Sequence, residues 1–471
     1  MNDLVTISQA AKAFDKDTHN IRYYIQYERI KKYTPDGEIL LGKAKNGELR
    51  VSLSEIDFFL KKHREKNQHH KIEGLNEELG FYELSERERT KHVHRLHPYL
   101  GKFIPQLVEW FLANNFHQEE IILDPFMGSG TTLVQGNEMG MHTIGLDVSE
   151  FNCRIAKVKT GKYDLHKVKL EILSAEKRLS AFSERLTTQD PKQIKLFPDK
   201  KLNGLKATLQ SEIESEYLNT WFAKRTILEI AYYRRLIKKY SQNDLLSVLL
   251  SRAVRSSRLV PHYDLATPKA PIKEGEEYWC KKHNKNCKPI GQLLIKIHNY
   301  SIDTIRRLEM FDTLRSDCAI EVIQGDSRNV NLRKKLSRGP LKGKVIDGIF
   351  TSPPYVGQID YHDQHIYAYE LFGIKRNDDW EIGPKKAGKS KKAREEYVDG
   401  ISKVFSNVNK YLKRDAKIFI VANDRFNLYP EIAKRSGMKI IDKFHRAVTK
   451  RTEQGNNPYQ ETIFVMEKEN A

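Results

Sequence analysis

The 471-residue sequence predicts an α/β fold in which one sheet is interrupted by a large, mostly helical insertion and preceded by a small N-terminal unit. From Leu123 onward, short apolar runs alternate with helical patterns, as they do when helices cover both faces of a parallel sheet. The alternation stops near Gly161 and resumes with strand-like runs at 319–323, 345–350, 416–421 and 461–466. Between them lies a stretch with helical periodicity over 218–239 and 293–310 and an irregular middle over 261–289. The expected organisation is an N-terminal unit over 1–68, the two halves of the sheet domain over 86–160 and 316–471, and the insertion over 161–315.

The N-terminal unit reads as a winged helix-turn-helix. Ser8 is placed to cap a helix over 9–14 and Thr18 a second over 19–27, with a break at 15–17. Residues 39–41 and 49–51 flank Asn46-Gly47, a hairpin signal that would form the wing. Ser52 with Glu55 makes a capping box that opens a third helix over 53–62. The segment resembles the winged helix of MerR-type regulators, chiefly in Ile7-Ser8-Gln9-Ala10-Ala11 and Ile21-Arg22-Tyr23-Tyr24. That resemblance implies DNA contact, with protein docking as the competing use.

Composition narrows the partners. A formal net charge of +19 favours a polyanion, because neutralising phosphates releases condensed counterions. Four cysteines are too few for a disulfide framework at this length and point to thiols in a reducing, cytoplasmic setting. No stretch approaches the ~18 apolar residues of a membrane span, so no membrane partner is expected.

Two segments carry chemistry. Asp124-Pro125-Phe126-Met127-Gly128-Ser129-Gly130-Thr131-Thr132 follows an apolar strand and precedes a helical run, so its glycines would let the backbone approach a ligand closely. It lacks the lysine of a Walker-type phosphate loop. Asp147 ends the next strand, where an acid accepts hydrogen bonds from ribose hydroxyls. Far downstream, Thr351-Ser352-Pro353-Pro354-Tyr355 ends another apolar run. Its prolines fix the backbone and withhold two amide donors, and an aromatic ring follows at once.

Together these segments resemble the DNA amino-methyltransferases, which modify cytosine at N4 or adenine at N6. The resemblance implies a Rossmann-like methyltransferase sheet, S-adenosylmethionine as cofactor and double-stranded DNA as substrate. By position it assigns Asp124, Phe126, Gly128 and Gly130 to the cofactor loop, with Ser129, Thr131 and Thr132 near the methionine part. Asp147 matches the ribose acid, and Asp326, in Gly325-Asp326-Ser327, the acid facing adenine. Tyr99, Lys102 and Pro105, in a segment opened by His97-Pro98, resemble a further cofactor motif beside the methionine. Ser352, Pro353, Pro354 and Tyr355 match the catalytic loop. The likeness spans 94–152 and 322–466 and leaves out the winged segment. In many relatives the catalytic half comes first, whereas here the cofactor half does.

The chemistry explains the residue types. An exocyclic amine is a weak nucleophile, because its lone pair is delocalised into the ring. A hydroxyl and a carbonyl that accept its two hydrogens localise that lone pair, so placement and oriented dipoles suffice. The base must leave the duplex, and an aromatic ring can stack on it. In the family that the sequence resembles, Ser-Pro-Pro-Tyr accompanies N4 products more often, so the resemblance favours cytosine N4, with adenine N6 open; an RNA methyltransferase and a non-catalytic DNA-binding regulator are the other readings. The expected setting is restriction-modification or phage defence, with a companion restriction endonuclease as possible partner; oligomeric state is not legible. No metal is expected: Cys280, His283 and Cys287 are closely spaced, but no fourth ligand stands nearby. The basic run from Lys385 to Arg394 reads as a mobile loop, either solvated or touching phosphate. Arg252, Arg255 and Arg258 are further candidates for DNA contact from the insertion.

Overall fold

The computed structural model describes residues 103–187, 200–265, 268–280, 283–289, 291–337, 339–448 and 459–469 without interruption. Before these it describes 3–14, 30–40, 49–58, 74–81, 84 and 88–101, with single positions at 18, 21, 25 and 60. In the N-terminal unit, strand β1 (Leu4–Thr6) leads directly into helix α1 (Ile7–Ala13) and pairs antiparallel with β2 (Arg50–Ser52). The cap of α1 is Thr6 rather than Ser8. Its side chain accepts from Gln9 N–H while Gln9 reaches back to Thr6, so the helix starts two residues earlier than expected.

Ser52 accepts from Glu55 N–H at 3.0 Å, as a capping residue should. Glu55 does not close the box, because its carboxylate is taken by Lys31 N–H and the Tyr33 hydroxyl. The hairpin seen among the described residues is also a different one. Tyr33 bridges both Ile39 and Arg50, with Thr34-Pro35-Asp36-Gly37 as the turn and Gly37 at φ +92°. A Pro-Asp-Gly sequence presets such a turn. Asn46-Gly47 lies outside the described residues.

The main body is one seven-stranded sheet. Its first two strands are β3 (Ile121–Asp124) and β4 (His142–Asp147). A separate hairpin of β5 (Tyr278–Cys280) and β6 (Lys285–Cys287) falls within the insertion. The sheet then continues with β7 (Ile320–Gln324), β8 (Ile346–Thr351), β9 (Leu412–Ala422), β10 (Met438–Val448) and β11 (Tyr459–Lys468). Across the sheet the order is β10-β11-β9-β8-β3-β4-β7. The five strands from β7 to β9 in that order are parallel, and β11 runs antiparallel to both β9 and β10. Strand β10 has no counterpart among the expected strands. It is an edge strand with a register shift near Ile440 and exposed positions along much of its length, so it lacks a continuous apolar signal.

Both faces of the sheet are covered, which is why its central strands are apolar at successive positions. In chain order, α2 (Pro105–Asn115) precedes the sheet, and α3 (Thr131–Glu138) and α4 (Glu150–Thr160) follow β3 and β4. The insertion contributes α5 (Leu165–Thr187), α6 (Lys200–Ser211), α7 (Glu216–Trp221), α8 (Lys224–Ile237), α9 (Asn243–Ser256) and α10 (Leu293–Asp312). The long helical run expected over 218–239 is therefore two helices, broken at Phe222-Ala223. After β8 come α11 (Ile366–Phe372), α12 (Lys391–Asn409) and α13 (Tyr429–Arg435).

Ile349, Ile418 and Ile420 face a core shared with α12 and α13. Their neighbours Phe350, Phe419 and Val421 face the opposite core, shared with α2. There Phe111 meets the rings of Phe350 and Phe419 at 5.6 and 5.0 Å between centroids. The insertion's core includes Phe151, Ile155 and Val158 of α4, and Tyr367 and Leu371 of α11, so it is continuous with the helical layer of the sheet. Among the described residues no helix is long and apolar enough to cross a membrane.

Candidate active site

The direction of strand succession reverses between β3 and β8, and in open α/β sheets ligands bind at such a switch point, outside the carboxyl ends of the strands. Four adjacent carboxyl ends carry the four sequence motifs. β3 ends on Asp124 and the glycine loop, β4 on Asp147, β7 on Gly325-Asp326, and β8 on Thr351 and the Ser-Pro-Pro-Tyr loop. They surround a cleft of about 840 Å³ lined by, among others, Tyr99, Phe126, Gly128, Asp147, Asp326 and Ser352. Residues as far apart in the chain as Gly128 and Ser352 thus meet because parallel strands place their loops on one edge.

The glycine loop needs its glycines. Gly128 and Gly130 sit at φ +51° and +79°, and a Cβ on Gly128 would stand 2.9 Å from the Tyr99 hydroxyl. Gly128 N–H donates to Asp147 Oδ2 at 2.9 Å, and Ser149 N–H and Asn152 Nδ2 donate to Asp147 Oδ1 at 2.8 and 3.1 Å. Burial nevertheless outweighs these donors and lifts the Asp147 carboxyl to about 6. Beneath the loop, the buried Lys159 of α4 donates to the Ser129 carbonyl at 2.8 Å.

Asp124 is also lifted to about 6 by burial, against donors that include the Thr351 hydroxyl at 2.6 Å and Phe126 N–H at 3.1 Å. Its carboxylate ties the glycine loop to the end of β8 and does not line the cleft. Thr132 likewise turns inward, donating to the Phe350 carbonyl at 3.3 Å. Ser129 and Thr131 do line the cleft, as does Asp326, whose carboxylate is paired with Arg328 at 2.7 Å. Gly130 caps α3, and Lys102 lies outside the described residues.

In the Ser-Pro-Pro-Tyr loop Ser352 and Pro354 face the cleft, while Pro353 is buried. The Pro354 carbonyl accepts from the Tyr397 hydroxyl at 2.9 Å, which anchors the loop to α12. Tyr355 donates its hydroxyl to Glu461 at 2.8 Å, and Glu461 is paired with Arg446, so β10 and β11 brace the ring. The basic run is not one free loop. Lys385–Ala387 form a single turn, and Ser390 caps α12, within which Lys391, Lys392 and Arg394 stand. This turn packs against the loop that follows Tyr355: Gly357 N–H donates to the Gly383 carbonyl at 3.0 Å, and a Cβ on Gly357 would meet the Gly388 carbonyl.

Sequence reasoning missed Asn152, Tyr361, Trp380 and Glu381 in the cleft. Asn152 carried a usable signal, being one helical turn beyond the Ser149 cap and on the side facing Asp147. The other three lie in irregular chain, where no periodicity points at a ligand. Two of the insertion's arginines are structural. Arg252 pairs with Asp303 at 2.7 Å and stacks on Tyr300, and Arg258 donates to the Leu265 carbonyl at 2.6 Å beneath a nearly closed surface.

A parallel sheet brings a glycine loop, a strand-end acid, and Ser352 and Pro354 of the Ser-Pro-Pro-Tyr turn to one cleft, an arrangement that suits a group-transfer enzyme. The chain belongs to the DNA methylase family. A family profile described as DNA methylase matches residues 6–158, running through most of the N-terminal unit and the glycine loop. Over 99% of its length the chain is 41% identical to the type II methyltransferase M.MjaII of Methanocaldococcus jannaschii, covering 97% of that protein. It is 23% identical to the type II methyltransferase M.MvaI of Kocuria varians, over 60% of this chain and 57% of that one. With M.BsoBI of Geobacillus stearothermophilus the figures are 22%, 64% and 55%. The profile bears on the methylase and gives no support to a winged helix-turn-helix as such.

Proposed function

We propose that the protein transfers a methyl group from S-adenosylmethionine to the exocyclic amine of a base flipped from duplex DNA, with cytosine N4 the favoured acceptor, as the modifying member of a restriction-modification pair. One observation supports this above the others: Ser352 and the glycine loop open on the same cleft, at the ends of neighbouring strands. The cleft suits the cofactor. The Ser129 hydroxyl and the Asn152 amide oxygen are buried beside it without hydrogen-bond partners among the described residues, so polar groups stand ready for a ligand.

When bound, S-adenosylmethionine supplies a methyl group made electrophilic by a sulfonium. The chain's own residues do the rest. Asp147 would accept from the ribose hydroxyls, Ser129 and Asn152 would meet polar groups of the same ligand, and Gly128 leaves the backbone open to it. Ser352 Oγ and the Pro353 carbonyl would accept the amine hydrogens, while Tyr355, held by Glu461, offers a face for the flipped ring. The exposed Lys385, Lys386 and Lys389 beside the catalytic loop are placed for phosphate contact. The N-terminal unit over 1–68 and the insertion over 161–315 would add grip and base readout.

Nucleoside mass spectrometry of duplex DNA treated with the purified protein tests the reading. N4-methylcytosine is expected. N6-methyladenine would move the acceptor to adenine, and no methylated base in any DNA would sink the proposal.

A further inference from the structure

Between α9 and α10 lie more than thirty residues, and the described ones form little regular structure. Its described elements there are a turn at His262–Asp264 and the hairpin of β5 and β6, each strand three residues long. None of the described residues from 261 to 292 belongs to an apolar core cluster. Hairpins this short are marginal alone, and loops this long are unusual without something to tie them.

The fold supplies the fourth ligand that local spacing lacks. His283 Nδ1 lies 3.3 Å from Cys287 Sγ and 3.6 Å from Cys280 Sγ. His262, eighteen positions before Cys280, brings its ring to 5.1 Å from that of His283, and the ligand atoms of His262, His283 and Cys287 lie within 4.8 Å of one another. Two features set this arrangement. Asn284 at φ +51° and His283 N–H bonded to the Cys280 carbonyl make a tight turn that puts residues 280 and 283 together. His262 N–H donates to the Tyr278 hydroxyl at 2.9 Å, which docks the upstream turn on the hairpin. Register places Cys287 opposite Tyr278, so Cys280 is its diagonal neighbour on the same face.

We infer that Cys280, Cys287, His262 and His283 bind one zinc ion that holds this segment of the insertion together. A sulfur at ~2.3 Å and a nitrogen at ~2.05 Å from one tetrahedral ion lie about 3.6 Å apart, close to the two sulfur–nitrogen distances that His283 makes. Two thiolates and two imidazoles are a structural zinc set, with no coordination position left for a substrate. Of the other clusters, that of Glu119, His142 and Cys318 already holds the Lys344 ammonium, 2.8 Å from His142 Nε2. The ion would be structural, since none of its ligands lines the cleft. The inference departs from the expectation that no metal is bound, on grounds independent of the proposed methyl transfer.

The test is metal analysis of full-length protein purified under reducing conditions from zinc-supplemented cells. Wild type and the distant control Cys318→Ser should each carry one zinc per chain, and Cys287→Ser should carry none. Reconstitution of wild type with cobalt should give the intense visible bands and thiolate charge transfer of a tetrahedral site. Removing zinc with a chelator should open the chain between 257 and 292 to protease while cofactor affinity stays unchanged. Wild type with no more zinc than Cys287→Ser, or a weak octahedral cobalt spectrum, would overturn the inference even if the variant failed to fold.

Discussion

Replacing Asp147 with Asn tests the cofactor site most directly, because the carboxylate is held by three donors and its charge state is within experimental reach. Oδ2 accepts from Gly128 N–H at 2.9 Å, and Oδ1 from Ser149 N–H and Asn152 Nδ2. An amide keeps one oxygen and turns a donor toward another donor. Hydrogen bonds to a charged acceptor contribute about 1.5–3 kcal/mol and neutral ones about 0.5–1.5, so giving up the charged interaction with a ribose diol should cost roughly 2–3 kcal/mol. Cofactor affinity at pH 8 should therefore fall about 30- to 150-fold.

The pH dependence has a definite sign. Burial raises the carboxyl from 3.8 to about 6, and hydroxyl donors favour the ionised form. Wild-type affinity should be full above pH 6 and decline below it by up to tenfold per pH unit, while Asp147→Asn should be flat across the same window. Stability runs the other way. A raised carboxyl favours the fold below its unfolded value and loses that contribution as pH rises through about 6, so wild-type melting temperature should fall relative to the variant's between pH 5 and 8. Calorimetric titration of S-adenosylmethionine from pH 5 to 8, with melting curves alongside, gives both readouts. Equal affinity of the two proteins at pH 8, or a wild-type profile without a step near pH 6, would refute the assignment of Asp147.

Gly128→Ala should weaken cofactor binding about tenfold or more, since left-handed backbone costs an L-residue roughly 1–2 kcal/mol and the new Cβ displaces Tyr99; Gly204→Ala, in open space on α6, is the control and should leave binding unchanged. Ser352→Ala and Tyr355→Ala should abolish single-turnover methylation while keeping cofactor affinity, and near-normal rates in both would reject the catalytic loop. Reversing Lys385 and Lys386 to Glu should reduce the salt dependence of duplex binding, with a slope shallower by about 0.9 for each phosphate no longer neutralised. Deleting residues 1–70 should act on the same slope if the N-terminal unit grips DNA, and an unchanged slope would make it a docking module.

What was legible in the sequence follows from where each signal resides. Strands β3, β4 and β8 read as strands because both their faces are buried and apolar residues run through them, whereas the edge strand β10 is exposed along much of its length and gives no such run. Gly128, Asp147 and Ser352 are legible because each follows the end of an apolar strand, and Asp326 through its resemblance to the family's adenine-facing acid. Tyr361, Trp380 and Glu381 reach the same cleft from irregular chain, and Lys159 supports the loop from within a helix, where nothing local distinguishes a buried lysine from a surface one. At the N-terminus the pairing of Tyr33 with Ile39 runs through Pro35-Asp36-Gly37, whose proline presets one dihedral and whose glycine takes the positive one, while Asn46-Gly47 lies outside the described residues.

The motif order of this chain is a property of its connections and not of its site. The cleft requires only that the loop after β3 lie beside the loop after β8 and that the acid ending β4 stand on the other side. The sheet meets both conditions through strand pairing, Leu123 against Ile349 and Leu123 against Ile144. Nothing in that requirement limits how many residues separate β4 from β7, because that link leaves the sheet through α4 and returns through α10. Loop-closure entropy grows only slowly with length, by about 0.6 kcal/mol per doubling, so a long insertion there is cheap once its own core is satisfied. The helices of the insertion obtain that core by sharing Phe151, Ile155 and Val158 with α4. The one described part of the insertion without a core is the stretch around β5 and β6, and it is there that Cys280, Cys287, His262 and His283 converge.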